Sequence, residues 1–379
     1  MRVAIVTESF LPSVNGVTTS VCRVVEELVQ AGHEAMVIAP APAPAEYAGV
    51  EVHTMPSLPV RSFQMGLPTR QITSLLADFR PDVLHAASPF LLGARGLTAA
   101  RNLGIPTVAV YQTDLARYCS RYGGGAGDVA AKVTWRHLRR VHALADLTLA
   151  PSTAALADLE RAGIERIDLW RRGVQSRLFH PAWREDAGCR ALRRSLAPGQ
   201  ETLVGYVGRL AVEKEVDRLA PLLSLPGVRV VVVGDGPSRA PLQAQLRGAQ
   251  FLGHREGDDL ARAYAALDVF VHTGTSETFG QTIQEASATG LPVVAPARGG
   301  PLDLVVHGET GLLFDPDEPS ALREAVAGLT IAEDAWERRA ILGEAAVAAM
   351  ATRSWASLTA ELLGHYEALA RRASHVLPR

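Results

Sequence analysis

The chain has 379 residues, 47% of them hydrophobic and 21% charged, with a formal net charge of -2. That length exceeds what one core normally organises, so two domains are expected, and the near-neutral charge gives no support for a nucleic-acid partner. Cys22, Cys119 and Cys189 form neither an even set nor a close ligand cluster, which argues against a disulfide scaffold and a structural zinc. No apolar run approaches the ~18 residues that cross a bilayer. Strand pattern begins at once with Val3-Ala4-Ile5-Val6, leaving no room for a signal peptide, so a cytoplasmic location is expected.

Short β-branched runs alternate with amphipathic stretches through the first half, the pattern of βαβ units. Strands are predicted over 3–7, 35–39, 51–54, 83–86, 107–111 and 147–150, and helices over 17–31, 70–78, 92–103, 128–144 and 153–162. The stretch 176–200 carries Pro181, Gly188, Pro198 and Gly199 without sustained periodicity and reads as an interdomain connection. The pattern then restarts, with strands near 203–208, 228–233, 250–252, 268–271, 292–295 and 311–314. Helices near 214–224, 238–247, 258–266, 280–289, 318–328 and 334–348 accompany them. A last helix over 352–370 spaces Trp355, Leu358, Leu362 and Tyr366 along one side for packing.

Buried strands flanked by helices predict an α/β protein with parallel sheets covered on both faces. The expected architecture is two Rossmann-like domains facing across a deep cleft at the carboxyl ends of their strands. The boundaries read as an N-terminal domain over 1–175, the connection over 176–200, a C-terminal domain over 201–350 and a C-terminal helix over 351–372.

Four segments carry candidate chemistry. The first, Glu8 to Val17, includes Asn15-Gly16, where a glycine ahead of a helix marked by Thr18, Thr19 and Ser20 admits a bulky anion. The second runs from Gly205 to Lys214. Arg209 stands at the end of a strand and Lys214 near a helix start, where a cation calls for a compensating anion; a diphosphate fits both. The third, Val233-Gly234-Asp235-Gly236-Pro237, holds a nucleotide's sugar edge or only turns the chain. The fourth, Thr275 to Ala286, sets Glu277 and Glu285 eight residues apart around Phe279-Gly280. A helix starting there aims the N–H groups of Gly280, Gln281 and Thr282 at an anion. Arg298-Gly299-Gly300-Pro301 follows as a mobile rim or a plain turn, and Asp315-Pro316-Asp317 reads as a surface turn rather than a metal site. Together these demands describe a nucleotide sugar. An NTPase is disfavoured, because no GxxxxGK[ST] segment exists.

At these residues the chain resembles the retaining two-Rossmann-domain glycosyltransferases of family 4, the GT-B enzymes, from residue 1 to about 370. The SETFGQTIQEA segment with Gly208-Arg209 and Lys214 upstream is the most specific part. The SFLPSVNGV opening, YQTDLARY at 111–118 and RRGVQSRLFHP at 171–181 support it. Within the family, the chain is similar to bacterial GDP-mannose-dependent α-mannosyltransferases acting on glycolipids. The resemblance implies that Gly16, Arg209 and Lys214 bind the donor diphosphate, Glu285 the ribose, and Glu277 the transferred sugar. Gly234, Phe279, Gly280, Gln281 and Thr282 complete the donor set. Glu277, Arg209, Lys214 and Gln112 are the catalytic candidates, and Asn15, Asp114, Tyr118 and Arg172 the acceptor-side ones. Two positions depart from the pattern: Gln112 stands where many relatives carry His, and Gln175 where Asp is usual.

The resemblance implies transfer of a hexose, mannose from GDP-mannose, to a polar lipid or lipid-linked sugar, with no cofactor and no metal required. The alternatives are another NDP-sugar with a soluble small-molecule acceptor, an inverting enzyme of the same shape, and a non-catalytic nucleotide-sugar sensor. Peripheral contact with an anionic membrane at the inner face of the plasma membrane is also expected. Its motivation is Lys132, Arg136, Arg139 and Arg140 among Val133, Trp135, Leu138 and Val141, with an apolar loop over 58–68.

Overall fold

The computed structural model describes residues 1–13, 15–60, 63–112 and 127–376. Asp114 and Tyr118 lie outside them. The chain divides into two units, Met1–Arg172 with Trp355–Arg379, and Gly173–Ser354.

The first unit begins β1 (Arg2–Thr7), α1 (Gly16–Gln30), β2 (Glu34–Pro40), β3 (Glu46–Tyr47) and β4 (Val50–Met55). A hairpin of β5 (Ser57–Val60) and β6 (Phe63–Gly66) follows, then α2 (Gln71–Phe79), β7 (Val83–Ala87), α3 (Leu92–Asn102) and β8 (Thr107–Val110). After them come α4 (Gly127–His142), β9 (Leu147–Ala150), α5 (Thr153–Arg161) and β10 (Ile167–Leu169). The sheet order is β10-β9-β8-β7-β1-β2-β4-β3, parallel except for the short edge strand β3, which runs back along β4. Side chains alternate between the two faces. Val3 and Ile5 pack into one core with α1, while Ala4 and Val6 enter another with α2 and α3. The segment expected as an apolar loop over 58–68 is instead largely this hairpin, with Ser57 opposite Gly66 and Leu58 opposite Met65. Paired backbone amides favour the strands, and the Leu58 side chain stays exposed.

The second unit holds α6 (Ala187–Leu196), β11 (Thr202–Val207), β12 (Val228–Val233), α7 (Arg239–Gln245), β13 (Gln250–Gly253) and α8 (Gly257–Ala266). It continues with β14 (Val269–Val271), α9 (Gln281–Ala288), β15 (Val293–Pro296), β16 (Gly311–Phe314), α10 (Ala321–Thr330) and α11 (Ala335–Met350). Its parallel sheet has the order β13-β12-β11-β14-β15-β16. Growth of the sheet reverses direction between β11 and β14, and such a switch point leaves a crevice outside the carboxyl ends of the two strands. In the first unit the equivalent reversal lies between β1 and β7.

The final helix, α12 (Trp355–Val376), belongs to the first unit. Trp355, Leu358, Leu362 and Tyr366 are all buried, as their spacing predicts. The Trp170 indole donates to Leu358 O at 2.7 Å, and Tyr366 Oη meets His85 Nδ1 at 2.5 Å.

Two expectations of the second half change. The stretch 176–200 contains a 3-10 turn, Pro181–Glu185, and then α6, both packed within the second unit. Asp186 caps α6 and accepts from Arg262 of α8 at 2.9 Å. Only Cys189, Leu192 and Leu196 mark its apolar face among several arginines, so its periodicity is faint. The helix predicted over 214–224 is two 3-10 segments, Val212–Lys214 and Val216–Ser224, broken at Glu215, whose φ is 50°. Pro221 lies inside the second, where it would remove an α-helical hydrogen bond.

Candidate functional site

At the switch point of the second sheet, β11 ends and Gly208 turns with φ 154°. Arg209 follows with its guanidinium well exposed, Nη1 standing 3.8 Å from Glu213 Oε1. The Tyr206 hydroxyl donates to Arg209 O at 3.1 Å and holds the turn. The loop after β12 presses against it. A Cβ on Gly234 would fall 2.0 Å from Gly208 O, and one on Gly236 2.3 Å from Leu210 O. Leu210 N donates to Asp235 O and Ser238 N to Leu210 O, both at 2.9 Å. The glycines at 234 and 236 therefore permit one loop backbone to lie on another, and Gly234 supports the Arg209 loop through that contact.

The loop after β14 is laced to the Arg209–Glu215 loop by three side-chain bonds. Thr273 Oγ1 donates to Lys214 O at 2.7 Å, Thr275 Oγ1 to Glu215 Oε1 at 2.6 Å, and Lys214 Nζ to Glu277 Oε2 at 2.6 Å. A left-handed glutamate costs about 1 kcal/mol or more. The Glu215 carboxylate offsets this by also accepting from Arg218 Nε at 2.7 Å. Lys214 ends a 3-10 turn rather than starting a helix, and Glu277 neutralises it. Under this pair lies His272, buried, with Nε2 3.7 Å from the same Glu277 oxygen. Burial pushes the His272 imidazole down to about 4, so it is neutral at pH 7.

Gly280, with φ 111°, starts α9 without a side-chain cap. The first N–H groups of the helix have no carbonyl a turn earlier to pair with, and they point at whatever anion lies ahead. Gln281 Nε2 donates to Gly173 O at 3.1 Å, and Thr282 is partly exposed in the first turn. Glu285 accepts from Tyr264 Oη at 2.8 Å. Burial pushes its carboxyl up to about 7, against the lowering effect of hydrogen bonds from Tyr264 and Gln281. Phe279, expected among the donor contacts, is 1% exposed and packs in the core with Ile283 and Leu304. Gly299 and Gly300 answer to packing too: a Cβ on either would lie 2.6 Å from Glu277 O or 2.3 Å from Phe279 O. Asp317, in the Asp315-Pro316-Asp317 turn, pairs with Arg298 at 2.6 Å.

In the first unit, Asn15 caps α1. Its Oδ1 accepts from Val17 N and Thr18 N at 3.0 and 3.1 Å, and its Nδ2 donates to Ser9 Oγ at 2.7 Å. The helix thus begins ahead of the Thr18-Thr19-Ser20 signal, and the acceptor-side candidate Asn15 has its amide occupied by capping. A Cβ on Gly16 would meet Arg172 Nη1 at 2.8 Å. A buried guanidinium therefore stands beside a helix N-terminus, and both attract anions. Gln112 is buried and donates to Ser20 Oγ at 3.2 Å. Glu8 caps α3 from outside, accepting from Phe90 N at 2.8 Å and Gly93 N at 2.9 Å. Leu91, at the N-cap position, has no side chain to do so.

The structure thus joins Lys214 to Glu277 and Gly16 to Arg172. Sequence reasoning missed His272, Glu215, Thr273, Thr275 and Tyr264. A histidine immediately after a buried strand that feeds an acidic loop was the available signal for His272; Tyr264 on α8 had none.

Two Rossmann-ordered parallel sheets, one carrying cations, carboxylates and an uncapped helix start at its switch point, define a nucleotide-handling α/β protein of GT-B architecture. Residues 14–177 match the family Glycosyltransferase Family 4, and residues 190–348 match Glycosyl transferases group 1. The chain is 48% identical to a GDP-mannose-dependent alpha-mannosyltransferase of Mycobacterium tuberculosis, covering 98% of each chain. It is 43% identical to one of Corynebacterium glutamicum, covering 97% of this chain and 88% of that one. Among solved structures it resembles Anabaena HepE in complex with UDP, at 22% identity and a TM-score of 0.79, over 97% of this chain and 100% of that one. The protein belongs to glycosyltransferase family 4.

Proposed function

We propose that this glycosyltransferase moves a mannosyl group from GDP-mannose to a hydroxyl of a polar lipid or lipid-linked sugar, with retention at the anomeric carbon. The observation that carries the donor half is the Lys214–Glu277 pair at 2.6 Å, three residues from the uncapped start of α9. GDP-mannose dependence is the described property of relatives 48% and 43% identical over nearly the whole chain. Arg209, Lys214 and the amides at 281–282 meet the charge that grows on the departing diphosphate, where preorganised donors contribute most. The bond from C1 to the diphosphate oxygen breaks, the acceptor oxygen bonds to the same face of C1, and its proton passes to the departing phosphate. Glu277 holds hydroxyls of the transferred sugar and Glu285 those of the ribose. Gly16 and Arg172 supply a further anion-binding element in the first unit. Gln112 can hydrogen-bond the sugar but cannot transfer a proton as an imidazole would.

The lipid half rests on α4. Lys132, Arg136, Arg139 and Arg140 are exposed there, beside bare Val129 and Val133 at 65% and 57% exposure. Cations around an apolar strip suit an anionic lipid surface. Among the described residues no helix is long and apolar enough to cross a membrane, and the contact proposed is peripheral.

A panel of GDP-, UDP- and ADP-sugars, scored by nucleotide release with lipid and small-molecule acceptors, tests the donor. GDP-mannose is the expected substrate, and exclusive turnover of a UDP-sugar would overturn the mannosyl assignment. Vesicle flotation tests the surface: association with anionic vesicles is expected to weaken as salt rises. No association, with efficient glycosylation of a soluble acceptor only, would defeat the lipid assignment.

A further inference from the structure

Glu285 lies in α9, and a side chain from another element holds it. Tyr264 stands on α8, 21 positions earlier, and its Oη donates to Glu285 Oε2 at 2.8 Å. The same hydroxyl lies 3.5 Å from Thr282 O, so its single proton goes to the nearer, charged acceptor. The ring is locked by packing. It is 0% exposed, edge-on to Phe179 at 5.5 Å and tilted against Phe270 at 5.9 Å. Burial, and then the Glu285 charge beside it, push the phenol well above its ordinary value, so Tyr264 stays a donor at any working pH.

A carboxylate offers about four lone-pair sites. Tyr264 takes one on Oε2, and Gln281 in the first turn of α9 bonds the same group, which leaves sites for hydroxyl donors. Neighbouring sugar hydroxyls need those sites held in one plane, because hydrogen bonds weaken steeply off line. A glutamate is rich in rotamers, and an anchor on one oxygen fixes the plane of both. We propose that Tyr264 is a positioning residue that aims the Glu285 carboxylate at the ribose hydroxyls of the donor. The proposal rests on the reading of Glu285 as the ribose contact. A fully buried ring reaches no ligand itself, so its effect passes through Glu285. Burial raises the Glu285 carboxyl to about 7, and the bond from Tyr264 works against that rise. The hydroxyl therefore also favours the ionised acid, which accepts hydrogen bonds and donates none.

Tyr264→Phe removes only the hydroxyl and keeps the ring. Its donor KM should rise about fivefold or more while kcat stays within about twofold, the pattern of lost uniform binding. Calorimetry then asks whether the ribose is still read, using GDP, 2′-deoxy-GDP and 3′-deoxy-GDP (or the uridine set, if the donor panel selects a UDP-sugar). Wild type should bind the weaker deoxy nucleotide about tenfold or more less tightly than its parent. In Tyr264→Phe that penalty should shrink to within about twofold, the non-additivity expected of groups acting through one another. A penalty of wild-type size in folded Tyr264→Phe would overturn the proposal and mark the hydroxyl as packing only. Glu285→Gln separates this from the ribose reading. It keeps one acceptor oxygen, which Tyr264 claims, so it too should lose the penalty. A full penalty in Glu285→Gln would refute the ribose reading, and the proposal with it. A structure of the wild-type GDP complex decides the matter even if Tyr264→Phe does not fold. Glu285 should meet the ribose while Oε2 keeps its bond to Tyr264, and a carboxylate turned away from Tyr264 would overturn the proposal.

Discussion

At the carboxyl edge of the second sheet, charged side chains from two loops meet one another; at that edge of the first, the meeting groups are mostly helix ends and the residues that satisfy them. Lys214, Glu277, Glu215 and Thr275 form a laced cluster whose charges are already partnered within the protein. Asn15 and Glu8 instead spend their side chains on the starts of α1 and α3. The second edge pairs charged and polar side chains with one another, and the first uses side chains to hold backbone in place. Removing a side chain from the second should therefore reduce turnover before stability, with the opposite order for the first.

The largest expected effect comes from Lys214→Ala and Arg209→Ala. Each should lower kcat/KM by about 10- to 100-fold, since charge-assisted contacts to phosphate contribute roughly 1.5–3 kcal/mol. Both cations sit on loops with part of their surface in solvent, so both variants should remain folded. Wild-type-like turnover in confirmed folded protein would break the comparison on its functional side.

Asn15→Ala should act the other way. Loss of an N-cap costs about 1 kcal/mol, and denaturant unfolding should register it as a lower midpoint with an unchanged slope. A variant with intact stability but crippled transfer would mean that Asn15 meets substrate after all.

The smallest effect sharpens the picture within the second unit. Glu285 is held at about 7 when folded, against an ordinary value of 4.5. Between those values the unfolded chain releases a proton that the folded chain keeps, so this group's contribution to stability falls as pH rises from 4.5 to about 7 and is flat above. His85, His142 and His272, pushed down to about 4 by burial, act oppositely as pH rises from 4 to 6.5. They are present in both proteins and cancel in a difference. The Tm of Glu285→Gln relative to wild type should accordingly climb across pH 5 to 7. A flat difference would show that the carboxylate is solvated and ordinary.

The alternation of β-branched runs made both parallel sheets legible, because strands buried on two faces need continuous apolar sequence. The SETFGQTIQEA segment was legible for a related reason: a strand end, an acidic loop and a helix start lie in one stretch of chain. Hence Glu277, Gly280 and Glu285 could be named together. The pairing of β5 with β6, α6 and the split 3-10 segments were not legible. Each is short, and backbone pairing or a single proline decided them rather than a repeating face.

By itself the sequence determined the class of fold, the longer strands and helices of both sheets and the identity of most of the charged groups, since all of these follow from local periodicity and contiguous motifs. Only the tertiary structure decided which groups touch. Lys214 and Glu277 are 63 positions apart, Gly16 and Arg172 are joined through the packing of the first unit, and Phe279 turns into the core instead of the crevice. Pairings of that kind depend on where strands stop in a sheet and how closely loop backbones can approach. Those distances are set by three-dimensional packing, to which no single stretch of sequence has access.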